Sequence, residues 1–418
     1  MRKRDTSTPV LVLGADNYCA LGLVRSLGRW GVPTYCLASD HDQIAAHSRF
    51  CAGTIPGRFD ETDPEGAVHA LMEAARRIGG RPILIATFDL RSLFVDAHRA
   101  ALSESFILPQ PRLGAVRALF DKRSLQGLCE AHGIPAPRSR FPHSAEELER
   151  DASELRYPLV LKGIDPDLLM ERTGGERMGI ARDWRALQAL WRRFHDPEHR
   201  NLLLQEFVPG GTEHNWIVSA SFGADGNCRF AVGGKKLRQL PVSGGITSLA
   251  VIAPATEPLQ GLQTLVHVTG FHGVLDADFR FDDRDGTYKL LDVNPRPGAN
   301  FRAFVDRNGL DAVRALYLDL TGQPVPTAEP VFGRHWLAED KDLWAMREML
   351  RAGSISLPSW IGSLARINEF AYLDAGDFAP SWRFVRQLLT GLLLGRLTPN
   401  RTSPSLVPLA TPVPEQSP

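Results

Sequence analysis

The sequence has 418 residues, of which 43% are hydrophobic and 23% are charged, so the chain can form two or three soluble domains with sizeable cores. Its 48 basic and 48 acidic residues cancel, which excludes a net field that draws the whole molecule to nucleic acid or to an anionic membrane. Five scattered cysteines form no C-x-x-C pair, and the apolar runs are too short for a signal peptide or a bilayer span. We therefore expect reduced thiols and a cytoplasmic protein without stable membrane insertion.

The first part of the chain alternates strand patterns with helical patterns. Its apolar runs read as buried strands at 10–14, 33–38 and 82–87. Helical patterns separate them, the second over about 64–79. This alternation predicts a doubly wound parallel sheet.

Ligands of such sheets bind beyond the carboxyl ends of the strands, where this sequence has Gly14, Asp16, Asn17 and Asp89. The alternative is that Gly14 only makes a turn and that the polar residues cap helices. The sequence has no G-x-G-x-x-G here, and the lack of this dinucleotide fingerprint disfavours a nicotinamide oxidoreductase.

The alternation of strand and helix patterns changes near Phe120. There Asp121 precedes the helical pattern KRSLQGLCEAH and predicts a helix start. Further on, the strand pattern YPLVLKGI carries Lys162 inside an apolar run. This lysine is unusual, because a buried ammonium group needs an anion to offset its desolvation. The alternative is a side chain that extends along the strand and reaches solvent.

The segments GVLDADFRF and YKLLDVNP flank the turn sequence DDRDG and predict a β-hairpin. Alternation places Asp276 and Asp278 on one face of the first strand, and Asp292 and Asn294 on one face of the second. If these polar faces coincide, repulsion favours a divalent cation, and Mg²⁺ prefers carboxylates, other oxygens and phosphates. The alternative is a solvent-facing strand, although Asp is disfavoured in strands. Arg296 follows directly and offers a fork that can hold a phosphate through two hydrogen bonds.

In their order and spacing, six motifs resemble those of the ATP-grasp superfamily of carboxylate–amine ligases over residues 8–325. The motifs are Asp121-Lys122, LVLKG with Lys162, QEFVPGGTE from Gln205, KKLR with Lys236 and Arg238, DADF and DVNPR. Each motif is weak when taken alone. Together they predict the fold and the use of ATP, but they do not predict the substrate.

The resemblance implies that Lys122 and Lys162 approach the phosphates of the nucleotide. It makes Gln205 the acceptor for the adenine amino group, at a position where the family usually has an acid. The hinge residues next to adenine and the ribose-binding acid are then Glu206, Phe207, Val208 and Glu213.

The resemblance also implies a metal site for Mg²⁺, with Mn²⁺ as a substitute, and a set of catalytic cations. The metal ligands are Asp278, Asp292 and Asn294, with Asp at two positions where Glu is more common. The catalytic residues are Lys236, Arg238 and Arg296, because cationic groups offset the charge that develops during phosphoryl transfer.

Two positions leave alternatives open. The loop RTGGERMG departs from the small Gly- and Ser-rich flap of many family members, since it adds Glu176 and bulky side chains. Arg302, downstream of DVNPR, either docks the carboxylate substrate or forms a surface salt bridge.

The predicted architecture combines α/β and α+β parts: a pre-ATP-grasp domain with the doubly wound parallel sheet, a two-lobed ATP-grasp domain and a C-terminal helical appendage. The expected boundaries are 1–118 for the first domain, 119–200 for the small lobe, 201–328 for the large lobe with the metal site, 329–398 for the appendage and 399–418 for a disordered tail. The apolar run LLTGLLLGRL at 388–397 predicts a buried or partner-facing helix, with membrane-surface contact as the alternative.

The expected activity joins a small-molecule carboxylate to an amine, with amino acids as the default substrates, through an acylphosphate and with release of ADP and phosphate. Three alternatives stay open: an ATP-grasp enzyme that ends at a phosphorylated or carboxylated product, a two-part synthetase with another subunit, and a nucleotide-binding protein without turnover. No nucleic-acid partner is expected, and a homodimer is compatible with the sequence.

Overall fold

The computed structural model describes residues 4–38, 43–242 and 244–393, which form two compact units. The smaller unit comprises residues 137–207, and the larger unit comprises the described residues on both sides of it. The tail predicted at 399–418 lies outside the described residues.

The larger unit begins with a parallel sheet and its helices. The elements are β1 (Val10–Leu13), α1 (Tyr18–Gly28), β2 (Thr34–Ala38), β3 (Gly53–Pro56), α2 (Pro64–Ile78), β4 (Ile83–Ala86), α3 (Asp89–Ala97) and α4 (Arg99–Leu102). The strand order is β3-β2-β1-β4, so the chain winds outward from β1 in both directions. Val10 and Val12 pack in one core and Leu11 and Leu13 in another, because helices cover both faces of a parallel sheet. The predicted doubly wound sheet is confirmed.

Two helices, α5 (Ala115–Phe120) and α6 (Lys122–His132), follow the parallel sheet. The Asp121 side chain accepts a hydrogen bond of 2.7 Å from the Ser124 amide and caps α6, as its position in the sequence predicts. Gly133 ends the helix in the left-handed conformation.

The smaller unit has an antiparallel sheet covered by helices. Its elements are β5 (Ser139–Arg140), α7 (Ala145–Ser153), β6 (Leu159–Gly163), α8 (Pro166–Thr173), β7 (Met178–Ala181), α9 (Trp184–Phe194) and β8 (Leu202–Glu206). The strand order is β5-β8-β6-β7. Leu159 and Leu161 of β6 enter its core, while alternation directs Val160 and Lys162 to the opposite face.

The rest of the larger unit is built on a seven-stranded sheet. Its elements are β9 (Asn215–Phe222), β10 (Cys228–Leu240), β11 (Ile246–Ile252), α10 (Thr256–Thr269), β12 (Gly273–Asp282), β13 (Thr287–Asn294), α11 (Ala312–Leu320), β14 (His335–Leu337), α12 (Glu339–Arg351), α13 (Leu357–Leu364), β15 (Ile367–Phe370) and α14 (Phe378–Leu393). Short 3₁₀ turns lie at Ile44–His47, Thr212–His214 and Phe301–Ala303. The strand order is β13-β12-β9-β10-β11-β14-β15, and every pairing is antiparallel except β14 with β15.

The two faces of this sheet have different roles. Trp216 and Val218 of β9 share one core with Leu275 and Ala277 of β12. The alternate residues of β12, which include Asp276, therefore point to the other face. This alternation brings the acidic side chains of the hairpin to the face opposite α10.

The C-terminal region is helical, as predicted, and it also adds two short strands to the edge of the large sheet. Buried ion pairs attach it to the preceding parts of the larger unit. Asp377 accepts a hydrogen bond of 2.8 Å from Arg25 in α1, and Asp342 in α12 binds Arg238 in β10. No helix within the described ranges combines the length and the apolar character needed to cross a membrane.

Candidate active site

The hairpin of β12 and β13 brings the predicted metal ligands together. Asp278 lies opposite Asp292, and Asp276 lies opposite Asn294. The polar faces of the two strands therefore coincide, as the alternation in the sequence predicts. A register shift after Asp278 separates this end of the hairpin from the turn.

Two lysines neutralise the carboxylates that face each other. Lys236 Nζ lies 2.9 Å from Asp278 Oδ1, and Lys122 Nζ lies 3.0 Å from Asp292 Oδ1. Burial acts to lower the pKa of Lys122, but the Asp292 carboxylate outweighs it and raises this pKa above its usual value. Both ammonium groups therefore lie beside the acidic face, each within 3.0 Å of a carboxylate oxygen.

Asp276 is 8% exposed and is more buried than Asp278 and Asp292, whose side chains are 29% and 33% exposed. Burial, with a further contribution from Asp278, raises the pKa of Asp276 to about 7. Its Oδ1 atom has no hydrogen-bond partner among the residues that the structure describes. The Asp276 carboxylate also packs so closely against Gly298 that a Cβ atom there would lie 2.3 Å from Oδ1. The loop after β13 therefore follows this carboxylate with no space for a side chain.

Arg296 lies just beyond the hairpin and is fixed by Asp89 of the parallel-sheet domain. Its Nε and Nη2 atoms donate to the two oxygens of Asp89 at 2.6 and 3.1 Å. Burial acts to lower the pKa of Arg296, but the Asp89 carboxylate outweighs it and raises this pKa. A longer bond of 3.4 Å joins Arg296 to Asn294 Oδ1. The structure thus connects Asp89, one of the proposed ligand-binding residues, with the hairpin that carries the predicted metal ligands.

The carboxyl ends of β1 and β4 form a polar crevice at the point where the strand order reverses, which is the usual ligand position in doubly wound sheets. Gly14 ends β1 with a φ of +101°, and an added Cβ atom would lie 2.0 Å from Arg91 Nη1. The Asn17 side chain caps α1 and donates to Thr87 Oγ1 at 3.5 Å. The capping alternative for Asn17 is therefore confirmed, and Gly14 is required for close packing.

Arg91 was not predicted from the sequence. It lies in the first turn of α3, where the helix dipole disfavours a cation, and this placement is the signal that sequence reasoning missed. Its side chain packs over Phe88, with 4.7 Å between the guanidinium carbon and the ring centroid, and lies 3.6 Å from Glu61 and 3.8 Å from Asp16. Its Nε and Nη1 atoms are buried without a hydrogen bond among the described residues.

A cavity of about 80 Å³ opens beside this crevice. Ser92, Asp96 and Arg99 line it from the parallel-sheet domain, and Arg296 lines it from the loop after β13. Ser92 Oγ also donates to the Pro295 carbonyl at 2.7 Å. The cavity therefore lies where the loop after β13 contacts α3.

Two arginines proposed for substrate or phosphate contact are held elsewhere. Arg238 donates to both oxygens of Asp342 at 2.7 and 2.9 Å, and to Ser363 at 2.9 Å. Arg302 pairs with Asp311 at 2.6 Å and with Glu369 at 3.0 Å. Of the two alternatives for Arg302, the salt bridge is present, but it belongs to a largely buried network. The structure joins neither arginine to the acidic face.

In the smaller unit, two predicted nucleotide contacts form a pair. Lys162 Nζ donates to Gln205 Oε1 at 2.9 Å, and Gln205 Nε2 donates to Ser139 Oγ at 2.9 Å. The Glu206 carboxylate accepts from the Arg156 amide at 3.0 Å, and the Phe207 amide donates to the Pro158 carbonyl. In this structure the side-chain carbonyl of Gln205 therefore accepts from Lys162, and its adenine contact stays a prediction.

The remaining predicted nucleotide residues lie in the larger unit. The Val208 carbonyl accepts a hydrogen bond of 2.8 Å from Arg280. Glu213 is exposed, and a hydrogen bond from its own backbone amide lowers the pKa of its carboxyl group. His214 lies 3.1 Å from this carboxylate.

The described residues contain no cluster of three or more His, Cys, Asp or Glu side chains arranged to hold a metal ion. The predicted metal set has two carboxylates and one amide, so it does not depend on such a cluster. Asp278 and Asp292 nevertheless fit a cation, because each already binds an ammonium group.

No family model matches the chain. It is similar to the D-aspartate ligase of Enterococcus faecium (strain Aus0004), with 25% identity over 355 residues, which cover 80% of this chain and 83% of that protein.

Solved structures share the fold. The N5-carboxyaminoimidazole synthetase of Staphylococcus aureus complexed with ADP superimposes with a TM-score of 0.61 at 13% identity, over 84% of this chain and 88% of that one. The biotin carboxylase domain dimer of the Hydrogenobacter thermophilus 2-oxoglutarate carboxylase, in complex with MgADP, ADP and bicarbonate, gives a TM-score of 0.59 at 13% identity, over 79% and 74% of the two chains.

Proposed function

We propose that this chain is a member of the ATP-grasp superfamily of carboxylate–amine ligases and that it joins a small-molecule carboxylate to an amine with ATP as the energy source. The reaction passes through an acylphosphate and releases ADP and phosphate. The observation that carries the proposal is the acidic hairpin with its two lysines. Oxygen ligands for a metal ion and cations for phosphate lie side by side there.

Magnesium is the metal that fits this set of ligands, and manganese is a substitute with the same preference for oxygen. Asp278, Asp292 and Asn294 would hold it. A bound magnesium ion neutralises phosphate charge during phosphoryl transfer. Lys122 and Lys236 already lie beside these carboxylates, so they contribute fixed positive charge to the same region.

The nucleotide contacts that we propose are assigned to each compact unit by itself. In residues 137–207, Lys162 binds phosphate, and Gln205, Glu206 and Phe207 bind adenine. In the larger unit, Lys122 contacts phosphate, Val208 completes the adenine contacts and Glu213 binds the ribose hydroxyls. The hydrogen bond of 2.9 Å from Lys162 to Gln205 supports this assignment, because it holds both side chains on one face of β6 and β8.

In the first step, an oxygen of the substrate carboxylate attacks the γ-phosphorus of ATP. A bond forms between them, and the bond to the oxygen bridging the β- and γ-phosphates breaks, so that ADP leaves. The amine nitrogen then attacks the acyl carbon, phosphate leaves with the bonding electron pair, and the nitrogen loses a proton to solvent. Arg296 and Lys236 orient the transferred group and offset its charge, because both side chains lie beside the proposed metal ligands, Arg296 at Asn294 and Lys236 at Asp278.

Amino acids are the substrate class that we propose. The similar D-aspartate ligase is named for an amino acid. In addition, the crevice beyond β1 and β4 has charged side chains for both the carboxylate and the ammonium group of an amino acid. Arg91 and Arg296 carry positive charge for a carboxylate, and Asp16 carries negative charge for an ammonium group. In this proposal Arg238 has a structural role, because Asp342 and Ser363 occupy its guanidinium group.

The second candidate is an enzyme of the same fold that ends at a carboxylated product. It rests on the fold shared with the carboxyaminoimidazole synthetase and the biotin carboxylase domain. A nucleotide-binding protein without turnover is the third. Products distinguish all three, since a ligase forms an amide, a carboxylase consumes bicarbonate and a binding protein releases no ADP.

The test measures ADP release by the purified chain with MgATP and pools of amino acids, with products identified by mass spectrometry. We expect release that depends on both an amino acid and the metal, together with a new amide. The Asp292→Ala, Asn294→Ala double variant should lose this activity by more than about 100-fold, because it lacks two metal ligands. Asp285→Asn, in the turn of the same hairpin, is the matched control and should retain it. Equal turnover by the double variant and the control contradicts the metal assignment.

A further inference from the structure

Helix α14 presents a second apolar stripe to solvent in addition to the face that it buries. Phe384 on the inner face is buried and stacks on Tyr372, with 4.3 Å between the ring centroids. Val385 and Leu388 pack against the same core. The helix is therefore fixed to the larger unit, and its outer face is a defined surface.

The outer stripe consists of Phe378, Trp382, Arg386 and Leu389, spaced by three or four residues along one side of the helix. Phe378, Trp382 and Leu389 are 69%, 58% and 52% exposed. The two aromatic rings stack on each other with 6.4 Å between their centroids. Large apolar side chains grouped in this way on a surface mark a contact site.

The charge of this helix has one sign. From Phe378 to Leu393 the sequence contains Arg383 and Arg386 but no acidic residue. The acids just before the helix are neutralised inside the larger unit, since Asp377 binds Arg25 and Asp374 binds Arg29. The stripe therefore presents the positive charge of the exposed Arg386 within apolar surface.

We propose that the outer stripe of α14 binds the surface of an anionic lipid bilayer. Aromatic and leucine side chains enter the boundary between headgroups and acyl chains, while arginine reaches the lipid phosphates. Arg386 lies between Trp382 and Leu389 in the stripe, so a contacting surface must supply both apolar area and negative charge. An anionic bilayer supplies both.

A second copy of the chain fits the stripe less well. A stable protein interface needs about 20–30 residues on each side, whereas the stripe has four side chains on one helix. It would also bring the arginines of two acid-free helices together. Since no helix in the described ranges suits a membrane span, the contact that we propose lies on the bilayer and does not cross it.

The test is co-sedimentation of the full chain with phosphatidylcholine vesicles that contain or lack phosphatidylglycerol, at low and high salt. We expect binding only to the anionic vesicles, and weaker binding at high salt. Trp382→Ser with Leu389→Ser should weaken this binding about tenfold or more, and Arg386→Glu should remove the preference for anionic lipid. None of these residues belongs to the proposed ligase site, so ADP release without vesicles should not change.

The matched control is Leu357→Ser with Ile361→Ser on α13, which removes two apolar side chains that are 49% and 55% exposed. This variant should bind vesicles as the unmodified chain does. Equal loss of vesicle binding in the α13 and α14 variants would overturn the proposal. So would the absence of co-sedimentation between the unmodified chain and anionic vesicles. Sedimentation velocity without lipid provides a third readout, and a dimer that the α14 variant abolishes assigns the stripe to a second copy instead.

Discussion

Arg296 and Asp89 form an ion pair through two hydrogen bonds that fixes the end of the acidic hairpin to the first turn of α3. The two residues are 207 positions apart in the chain. Arg296 also contacts Asn294 of the predicted metal set. Its hydrogen bonds to Asp89 therefore fix the orientation of the guanidinium group beside that set.

Asp89→Asn therefore is expected to reduce kcat/KM for the carboxylate substrate by about 100-fold, because a catalytic group that loses its orienting partner loses its near-attack position. The fold should persist, since Arg296 keeps its contacts with Asn294 and the Pro297 carbonyl. ADP release measured at varied substrate concentration checks this. Glu73→Gln serves as the control, because Glu73 forms exposed ion pairs on α2, and unchanged kinetics in both variants would contradict the role of Asp89.

A different result is expected for the buried pair of Arg238 and Asp342. Asp342→Leu alone leaves the Arg238 guanidinium buried without its carboxylate and should lower the free energy of unfolding by about 3–5 kcal/mol. Adding Arg238→Met should restore much of this loss, because no unpaired charge remains. Denaturant titration measures both variants.

The double variant also tests the catalytic role that the sequence suggested for Arg238. If Arg238 is structural, the double variant keeps its ADP release per folded molecule. A double variant that folds but releases no ADP would instead support the catalytic role of Arg238.

Gly14 offers a test of close packing at the crevice. Gly14→Ala imposes a side chain on a φ of +101° and places its Cβ atom 2.0 Å from Arg91 Nη1 and 2.7 Å from Thr87 Oγ1. Gly79→Ala is the matched control, since Gly79 has a φ of +86° but no atom within 4 Å of the added Cβ. We expect a loss of about 1–2 kcal/mol in the control from backbone strain, and a clearly larger loss at Gly14. Equal midpoints of denaturation would show that Arg91 moves aside freely.

The buried carboxyl group of Glu339 is expected to make the free energy of unfolding depend on pH. Burial raises the pKa of its carboxyl group from 4.5 to about 7, although the amides of Leu373 and Tyr372 donate to it and oppose this shift. Asp340, Tyr18 and Tyr372 are the titratable groups that face it. The folded state thus holds a proton that the unfolded state releases.

The free energy of unfolding should therefore fall as pH rises from about 4.5 to about 7, by on the order of 3 kcal/mol from this group. Glu339→Gln cannot ionise, so the difference in stability between the original chain and this variant should decline across the same window. Denaturant titrations at several pH values measure it. A difference that stays constant with pH would contradict the raised pKa.

The sequence predicts those features that depend on neighbours along the chain. The hairpin register follows from alternating residues around a four-residue turn, and the cap at Asp121 follows from a local helix signal. The parallel sheet follows from its buried apolar strands.

Partners distant in the sequence were not predictable, because no local pattern encodes them. Nothing near Arg238 indicates that Asp342 occupies it, and nothing near Lys122 indicates that it binds Asp292. A long side chain reaches any acid that folding brings near, so one sequence supports several pairings until the tertiary structure selects one.

The ammonium groups of Lys122 and Lys236 give the hairpin its own counter-ions. We therefore expect newly synthesised chains to form the large sheet without a bound metal ion, even in the presence of a chelator. At the proposed metal site, a metal ion would compete with these two tethered cations, so we expect it to bind mainly together with the triphosphate, whose negative charge attracts the displaced lysines.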